Sequence, residues 1–357
     1  MIGWYVHHHG AGHVQRLVAV TEHLRTPVTA LSSAPRPAGW TQGWVQLERD
    51  DAEPVDRPSA TARGALHWVP RHHAGLLGRS AAVVRWLEEA RPSLVVTDVS
   101  VEATALVRLC GVPVVVAAML GDRDDVPHRL GRDLAEALLA PWPAPRPSAV
   151  DDRDDQPGEE PDDQPDDHRG RTPVVHVGAF SRFDGRPTSS GASEPGRVLV
   201  LWGSGGRDVT DADLRAAVGA TPGWTWEHLV PGSSLDAAGT RPDVWDALQR
   251  AEVVVVHGGH NAVAEVAAAR RAAVVVAQER PFDEQVRRAE LLRAEGLVAL
   301  DAWPAAQEWP GLLERARAVG AGPWERWAPG DGARRAAAFL DETADRLAAA
   351  QRAGGAR

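Results

Sequence analysis

Val253-Val254-Val255-Val256-His257-Gly258-Gly259-His260-Asn261-Ala262-Val263-Ala264-Glu265 is the stretch that reveals the architecture of this chain. Four consecutive valines do not alternate with polar residues, so both faces of the strand they form must be covered, as in a parallel sheet. Two glycines then allow a tight turn and a close approach of backbone to a ligand. The apolar spacing that follows is helical, so the free amides of a helix N-terminus lie at the strand exit, where they favour anionic oxygens such as those of a diphosphate. Asn261 is placed to cap that helix and His257 to add a donor. Glu265, two turns in, offers two acceptor oxygens that match the hydroxyl pair of a ribose.

Outward from this unit the same grammar repeats. Apolar strands are predicted at Ile2 to Val6, Leu94 to Thr97, Val112 to Ala117, Pro173 to Val177, Val198 to Leu201 and Ala273 to Ala277, with helix-period segments between them. The fold class is α/β, doubly wound. A chain of 357 residues exceeds one ordinary core and suits two. The expected domains are residues 1–180 and 190–330, with the crossing at about 180 to 196. Residues 331–357 are expected to form a helix that packs back on the first domain. The tract from Asp151 to His168 is rich in acid and proline and is read as a solvated insertion at about 150–170.

Composition removes several function classes. The net charge of −10 speaks against a nucleic-acid binder. All basic side chains other than histidine are Arg, which excludes a lysine Schiff base and the lysine of a P-loop. No apolar run approaches the roughly 20 residues of a membrane span. The start lacks a signal-like pattern and Cys110 is the single cysteine, so a cytoplasmic location is expected, with at most peripheral membrane contact. Core packing is the expected role of Trp303, Trp309, Trp324 and Trp327.

The first strand runs into His7-His8-His9-Gly10-Ala11-Gly12-His13, which delivers His13 to a helix N-terminus at the sheet's carboxyl edge. A neutral imidazole there can take a proton from an incoming hydroxyl. Asp98, at the end of another strand, could hold the second nitrogen of His13, although capping the next helix is its plainer role. Arg16 is read as an exposed helical arginine. Gly10 and Gly12 alone lack the third glycine of a dinucleotide fingerprint, and neighbouring strand residues in the histidine run would point to opposite faces, so neither NAD nor a metal is expected. Two further loops complete the pattern. Gly203-Ser204-Gly205-Gly206-Arg207 offers backbone amides after a strand, and Glu284 with Gln285 stands at another strand exit, where Asp283 is a candidate cap.

At this point the sequence resembles a known group, the GT-B glycosyltransferases. Ala251 to Leu300 is similar to the donor-binding region shared by the lipid-linked murein N-acetylglucosaminyltransferase and the transferases acting on plant and bacterial secondary metabolites. His257, Gly258-Gly259, Asn261, Glu265 and the pair Glu284-Gln285 match the plant signature, Gly12-His13 resembles the Gly-His pair of these families, and Gly203-Ser204-Gly205 resembles an inter-domain loop of the murein enzyme. The resemblance implies two Rossmann-like domains facing a cleft, with diphosphate at His257 and Asn261, ribose at Glu265, donor sugar at Glu284 and Gln285, and His13 as base supported by Asp98. It points to a UDP-linked donor, with other nucleotides left open, and to no cofactor beyond that substrate. His260 departs from the family pattern, which places an aromatic or apolar residue there. Leu31 to Trp86 and the acidic tract fall outside the match.

The expected reaction is inverting and metal-independent, because retaining relatives carry a glutamate eight positions before the ribose glutamate and here that position is His257. A sugar-nucleotide 2-epimerase and a non-catalytic nucleotide-sugar-binding protein are the alternatives. The acceptor is left as a lipid-linked sugar, a small metabolite or a polymer.

Overall fold

The computed structural model describes residues 1–10, 12–146, 172–187, 193–203, 206–235 and 243–354. The acidic tract from Asp151 to His168 lies outside the described residues. In chain order the strands are β1 (Ile2–Val6), β2 (Val28–Ser32), β3 (Gly43–Gln46), β4 (Leu94–Asp98), β5 (Val114–Ala117), β6 (Ala137–Ala140) and β7 (Val174–His176), then β8 (Arg197–Leu201), β9 (Thr225–Leu229), β10 (Val253–His257), β11 (Ala272–Val276) and β12 (Val298–Leu300).

Two wholly parallel sheets result. The first has the order β3-β2-β1-β4-β5-β6-β7 and the second β12-β11-β10-β8-β9. In each, the chain first winds outward in one direction and then returns to the middle to wind the other way. This reversal leaves a crevice beyond the carboxyl ends of the two central strands, because their following segments leave on opposite faces. The switch lies between β1 and β4 in the first sheet and between β8 and β10 in the second.

The all-apolar strands are buried as their composition requires: each residue of β1, β4 and β11 is buried, and so are the four valines of β10. Each sheet has a core on both faces. The first sheet's cores include Trp4, Leu17 and Leu94 on one side and Tyr5, Leu31 and Val95 on the other. The second sheet's include Val254, Leu292 and Trp324, and on the opposite side Val255, Leu313 and Trp309. Trp309, Trp324 and Trp327 are fully buried, and Trp303 packs against the same core as Trp309.

The last helix, Gly332–Gly354, lays Ala336, Ala337, Leu340 and Ala344 into the core that contains β1, so the chain ends against the first sheet rather than the second. Asp341 holds the join by accepting from the backbone N–H groups of Arg25 and Thr26. The connection between the sheets belongs to both: Val177 and Phe180 enter the first core, Ala179 and Phe183 the second. Among the described residues no helix is long and apolar enough to cross a membrane.

Candidate active site

At the first switch point, β1 ends at Val6 and the helix Gly12–Thr21 begins after a short loop, while β4 ends on Asp98 itself. His13 Nδ1 lies 3.1 Å from Asp98 Oδ2, and Arg16 Nη1 donates to Asp98 Oδ1 at 2.7 Å. Asp98 has no exposed side chain, whereas His13 keeps 15% of its own accessible. Burial pushes the Asp98 carboxyl up, but Arg16 and then His13 outweigh it and hold it below the usual carboxylate range. The carboxylate therefore stays charged. A proton on His13 Nδ1 is favoured by that neighbour, which leaves Nε2 as the nitrogen free to accept.

The plainer reading of Asp98 does not hold, because Ser100 caps the helix Val101–Leu109 by accepting from Ala103. Val99 between them has φ +56°, a left-handed conformation that a β-branched residue adopts at a cost. Arg16 needs correcting too. It is buried, not exposed, because the charge of Asp98 can be buried only with a cation beside it. Beside this cluster the first sheet opens into a cavity of about 720 Å³, lined by Tyr5, His7, Trp68, Glu102 and Leu106 among others. His7 borders it as a neutral imidazole, its pKa lowered to about 3 by burial and by the imidazoles of His13 and His8.

At the second switch point, β8 leads into the glycine loop and β10 ends on His257. Ser204 and Gly205 lie outside the described residues; Gly203 is placed. The His257 ring stands between two backbone donors, Gly259 N–H at 3.0 Å from Nδ1 and Gly203 N–H at 3.3 Å from Nε2. Its pKa is lowered to about 4 by burial and then by Arg280 and Arg288, so the ring is neutral and can accept at one nitrogen only. With Nδ1 accepting the shorter bond, Nε2 carries the ring hydrogen and stands 3.3 Å from the Gly203 N–H, donor facing donor. Such a pair has no mutual partner and suits an anionic oxygen.

Gly258 is closely packed: a Cβ there would lie 3.1 Å from the Gln285 Cβ, so that Gln285 would have to shift. Arg288, buried, donates to the Gly258 carbonyl and to Glu284 Oε1 at 2.8 Å. Gln285 accepts from Gln278 N–H at 3.0 Å, and Gln278 accepts from Trp202 Nε1 at 2.7 Å. Glu284 and Gln285 are thus brought to the glycine turn, Gln285 as a buried brace and Glu284 as the partner of Arg288. Phe282 and Asp283, just before them, both have positive φ, +63° and +52°. Asp283 makes no side-chain cap bond.

Asn261 does not cap its helix either; the N-cap is Gly259. The Asn261 amide instead reaches across to the first domain and donates to Gln15 Oε1 at 2.8 Å. The approach is close enough that a Cβ at Gly12 would stand 2.8 Å from Asn261 Nδ2. Glu265 is buried, which raises its pKa against the opposing effect of Arg182, whose Nε donates to Oε1 at 2.8 Å. The space left among Gln15, Arg16, Phe180, Arg182, Asn261 and Glu265 is about 10 Å³, room for a water and not for a ribose. His260, half-buried and held neutral by desolvation, meets Phe180 edge to face, which explains how an imidazole serves where the resembling families carry an apolar group.

Elsewhere the two lobes are tied by Asp122 N–H donating to the Phe282 carbonyl at 2.7 Å and by Arg287 pairing with Asp122 at 2.7 and 3.0 Å. Sequence reasoning overlooked Arg182, Arg288 and Gln15. No periodicity marks an arginine whose partner lies on another element. Two groups among the described residues have donor atoms spaced for a metal ion, His8 with His9 and Asp51, and His67 with Asp125 and His128. In the first, residues 7 to 9 lie beyond the end of β1 at Val6 and are not held to alternate faces, which lets two of the three histidines face Asp51.

No family model matches the sequence, and no curated protein is similar enough in sequence to align with it. Solved structures do match over nearly the full length. MurG of Acinetobacter baumannii superposes with TM-score 0.61 at 15% identity, covering 96% of this chain and 99% of that one. The spinosyn rhamnosyltransferase SpnG complexed with thymidine diphosphate gives 0.55 at 19%, covering 98% and 96%. UGT2 of Phytolacca americana, complexed with UDP-2fluoro-glucose and pterostilbene, gives 0.59 at 13%, covering 97% and 99%. The fold is that of the GT-B glycosyltransferases, as the sequence led us to expect.

Proposed function

We propose that the protein is an inverting glycosyltransferase that moves a sugar from a nucleoside diphosphate to an acceptor hydroxyl. The observation that carries this reading is the meeting of the two switch points, with Gly12, next to His13, set against Asn261 in the first turn of the helix that follows His257. One side supplies a proton acceptor and the other a cluster of donors for a departing diphosphate.

In this reading His13 Nε2 takes the proton of the acceptor hydroxyl as its oxygen attacks the anomeric carbon. The nucleoside diphosphate leaves from the opposite face, so configuration inverts. Asp98 orients the ring and stabilises the imidazolium that forms, and Arg16 keeps Asp98 charged throughout. His257 Nε2–H, the amide of Gly203 and the N-terminus of helix His260–Ala268 stabilise the leaving group in place of a metal. Ser204 and Gly205 are assigned to the same loop by resemblance, Glu265 to the ribose, and Glu284 and Gln285 to the donor sugar. For Glu265 to take a ribose, the Arg182 contact must open, since the present gap holds one water. Solved neighbours are complexed with thymidine diphosphate or with UDP-2fluoro-glucose; we favour UDP on the sequence resemblance. The cavity beside His7 is the place for the acceptor, and its largely apolar wall suits a small metabolite over a polymer. The cytoplasm is the compartment where such a donor is met.

The test is His13→Ala. Loss of a general base lowers kcat by about 10²- to 10⁴-fold, while UDP-sugar, read by thermal shift, still stabilises the fold. Full activity in this variant would refute the assignment, and so would a product that retains the donor's anomeric configuration. Epimerisation is disfavoured because Glu284 and Glu265 are both paired with arginines.

A further inference from the structure

Beside the acceptor cavity stands a side-chain cluster that the transfer reaction does not use. The loop after β1 turns His8 and His9 toward Asp51, which follows β3 in sequence. His8 Nε2 lies 3.4 Å and His9 Nε2 3.0 Å from the same oxygen, Asp51 Oδ2. Ligands held about 2.0 to 2.1 Å from a tetrahedral ion stand about 3.3 Å apart, so both edges already have the right length. The three donor atoms all fall within 4.8 Å of one another.

His8 supplies a second and independent indication. Its side chain is only 3% exposed, yet neither ring nitrogen makes a hydrogen bond among the described residues, Nε2 meeting Asp51 and Asp50 only at ion-pair distances of 3.4 and 3.9 Å. A buried imidazole without a hydrogen bond forgoes both hydration and full pairing. Arg49 holds Asp51 with both arms of its guanidinium, Nε 2.8 Å from Oδ1 and Nη2 2.5 Å from Oδ2 itself, and keeps it anionic, so an ion would share Oδ2 with that guanidinium; Asp50, the neighbouring carboxylate, is taken by Arg79. The second cluster differs in this respect. There His128 Nδ1 meets Asp125 at 2.6 Å, its Nε2 meets Arg123 at 2.7 Å, and His67 meets Asp125 at 3.2 Å, so its rings are satisfied without an ion.

We propose that His8 Nε2, His9 Nε2 and Asp51 Oδ2 bind a divalent cation of the zinc type. Two imidazoles and one carboxylate favour zinc over magnesium or calcium, which prefer all-oxygen shells. Three protein ligands leave a coordination position for water or for an oxygen of a molecule in the cavity, whose wall His8, His9 and Asp51 form. The site is on the acceptor side and is separate from the glycine loops assigned to diphosphate.

The experiment is calorimetric titration of zinc chloride into full-length protein without a polyhistidine tag, stripped beforehand with chelator. One ion per chain is expected. His9→Ala and His8→Gln should each weaken binding at least tenfold, and His67→Ala, in the other cluster, should not. Because His9 is 63% exposed, its removal spares the core and reports on the ion rather than on folding. The proposal is overturned if the stripped protein takes up no zinc, if His9→Ala binds as tightly as the parent, or if His67→Ala alone abolishes binding. The readout is binding, so it stands or falls apart from the transferase reading.

Discussion

The two switch points are built on the same topology and opposite electrostatics. Between β1 and β4 a fully buried carboxylate, Asp98, is held between Arg16 and His13, so charge is concentrated and neutralised within the fold. Between β8 and β10 the centre is a neutral imidazole among backbone amides. Each arrangement suits a different task. A base that must accept a proton benefits from a fixed anion behind it, whereas a site that receives an anion benefits from donors that carry no counter-ion of their own.

The largest effect should come from Asp98→Asn. Arg16 would be left buried without its anion, which costs about 3–5 kcal/mol, measurable by urea denaturation. Turnover should fall as well, because the ring of His13 loses the group that orients it. The sign with pH follows from the lowered folded pKa of Asp98: its contribution is present above the unfolded value of about 3.9 and is lost as acid brings the pH down through the folded value. A variant as stable as the parent would mean that the Arg16 and Asp98 pair is not the buried centre of that domain.

A smaller effect separates the second switch point from the first. An unfolded histidine takes up a proton near 6.5, while folded His257 does so only near about 4. The fold is therefore stabilised fully above pH 6.5 and loses this contribution as pH falls from there toward 4. His257→Gln should flatten the stability curve in that window without changing stability at pH 8 by more than about 1 kcal/mol. His7, His8, His128 and His260, whose pKa values are also lowered by burial, add slope of the same sign, and Asp184, raised to about 6 by burial, opposes it. An unchanged curve would break the contrast between a charged and a neutral switch point.

The smallest effect tests whether the two points work together. Gly12→Ala forces a methyl against the Asn261 amide and should lower kcat/KM several-fold with little loss of melting temperature. Adding Asn261→Ala removes the obstructing amide and should restore part of the loss. Strict additivity of the two changes would show that the contact is not felt in catalysis.

Much of this architecture was legible. The apolar runs of β1, β4 and β10 declare strands buried on both faces, and the glycine turns after β1 and β10, at Gly12 and Gly258, declare where a ligand can approach. The strands Val28–Ser32, Gly43–Gln46 and Thr225–Leu229 were not recognised, since Thr, Gln, Glu and His within them dilute the apolar run; Ala137–Ala140 and Val298–Leu300 were not either, being too short to be told from a helical segment. The nearness of His13 to Asp98 and the place of His257 at a strand exit were read from position, while Asn261 and Arg16 were given other partners than those they meet. A cap for Asn261 and solvent for Arg16 are the local choices, and both lost to groups far away in the chain.

Alternation and periodicity report which face of an element is buried, and strand exits follow directly from them, so the two parallel sheets and the glycine turns belong to the amino-acid order. Which arginine neutralises Asp98 or Glu265, and that Asn261 answers Gln15 across 246 positions, emerges only when separate elements pack. The cause is physical: a buried charge or amide must find a partner in space, and the residue that meets it is decided by the folded approach of elements that carry no local trace of one another.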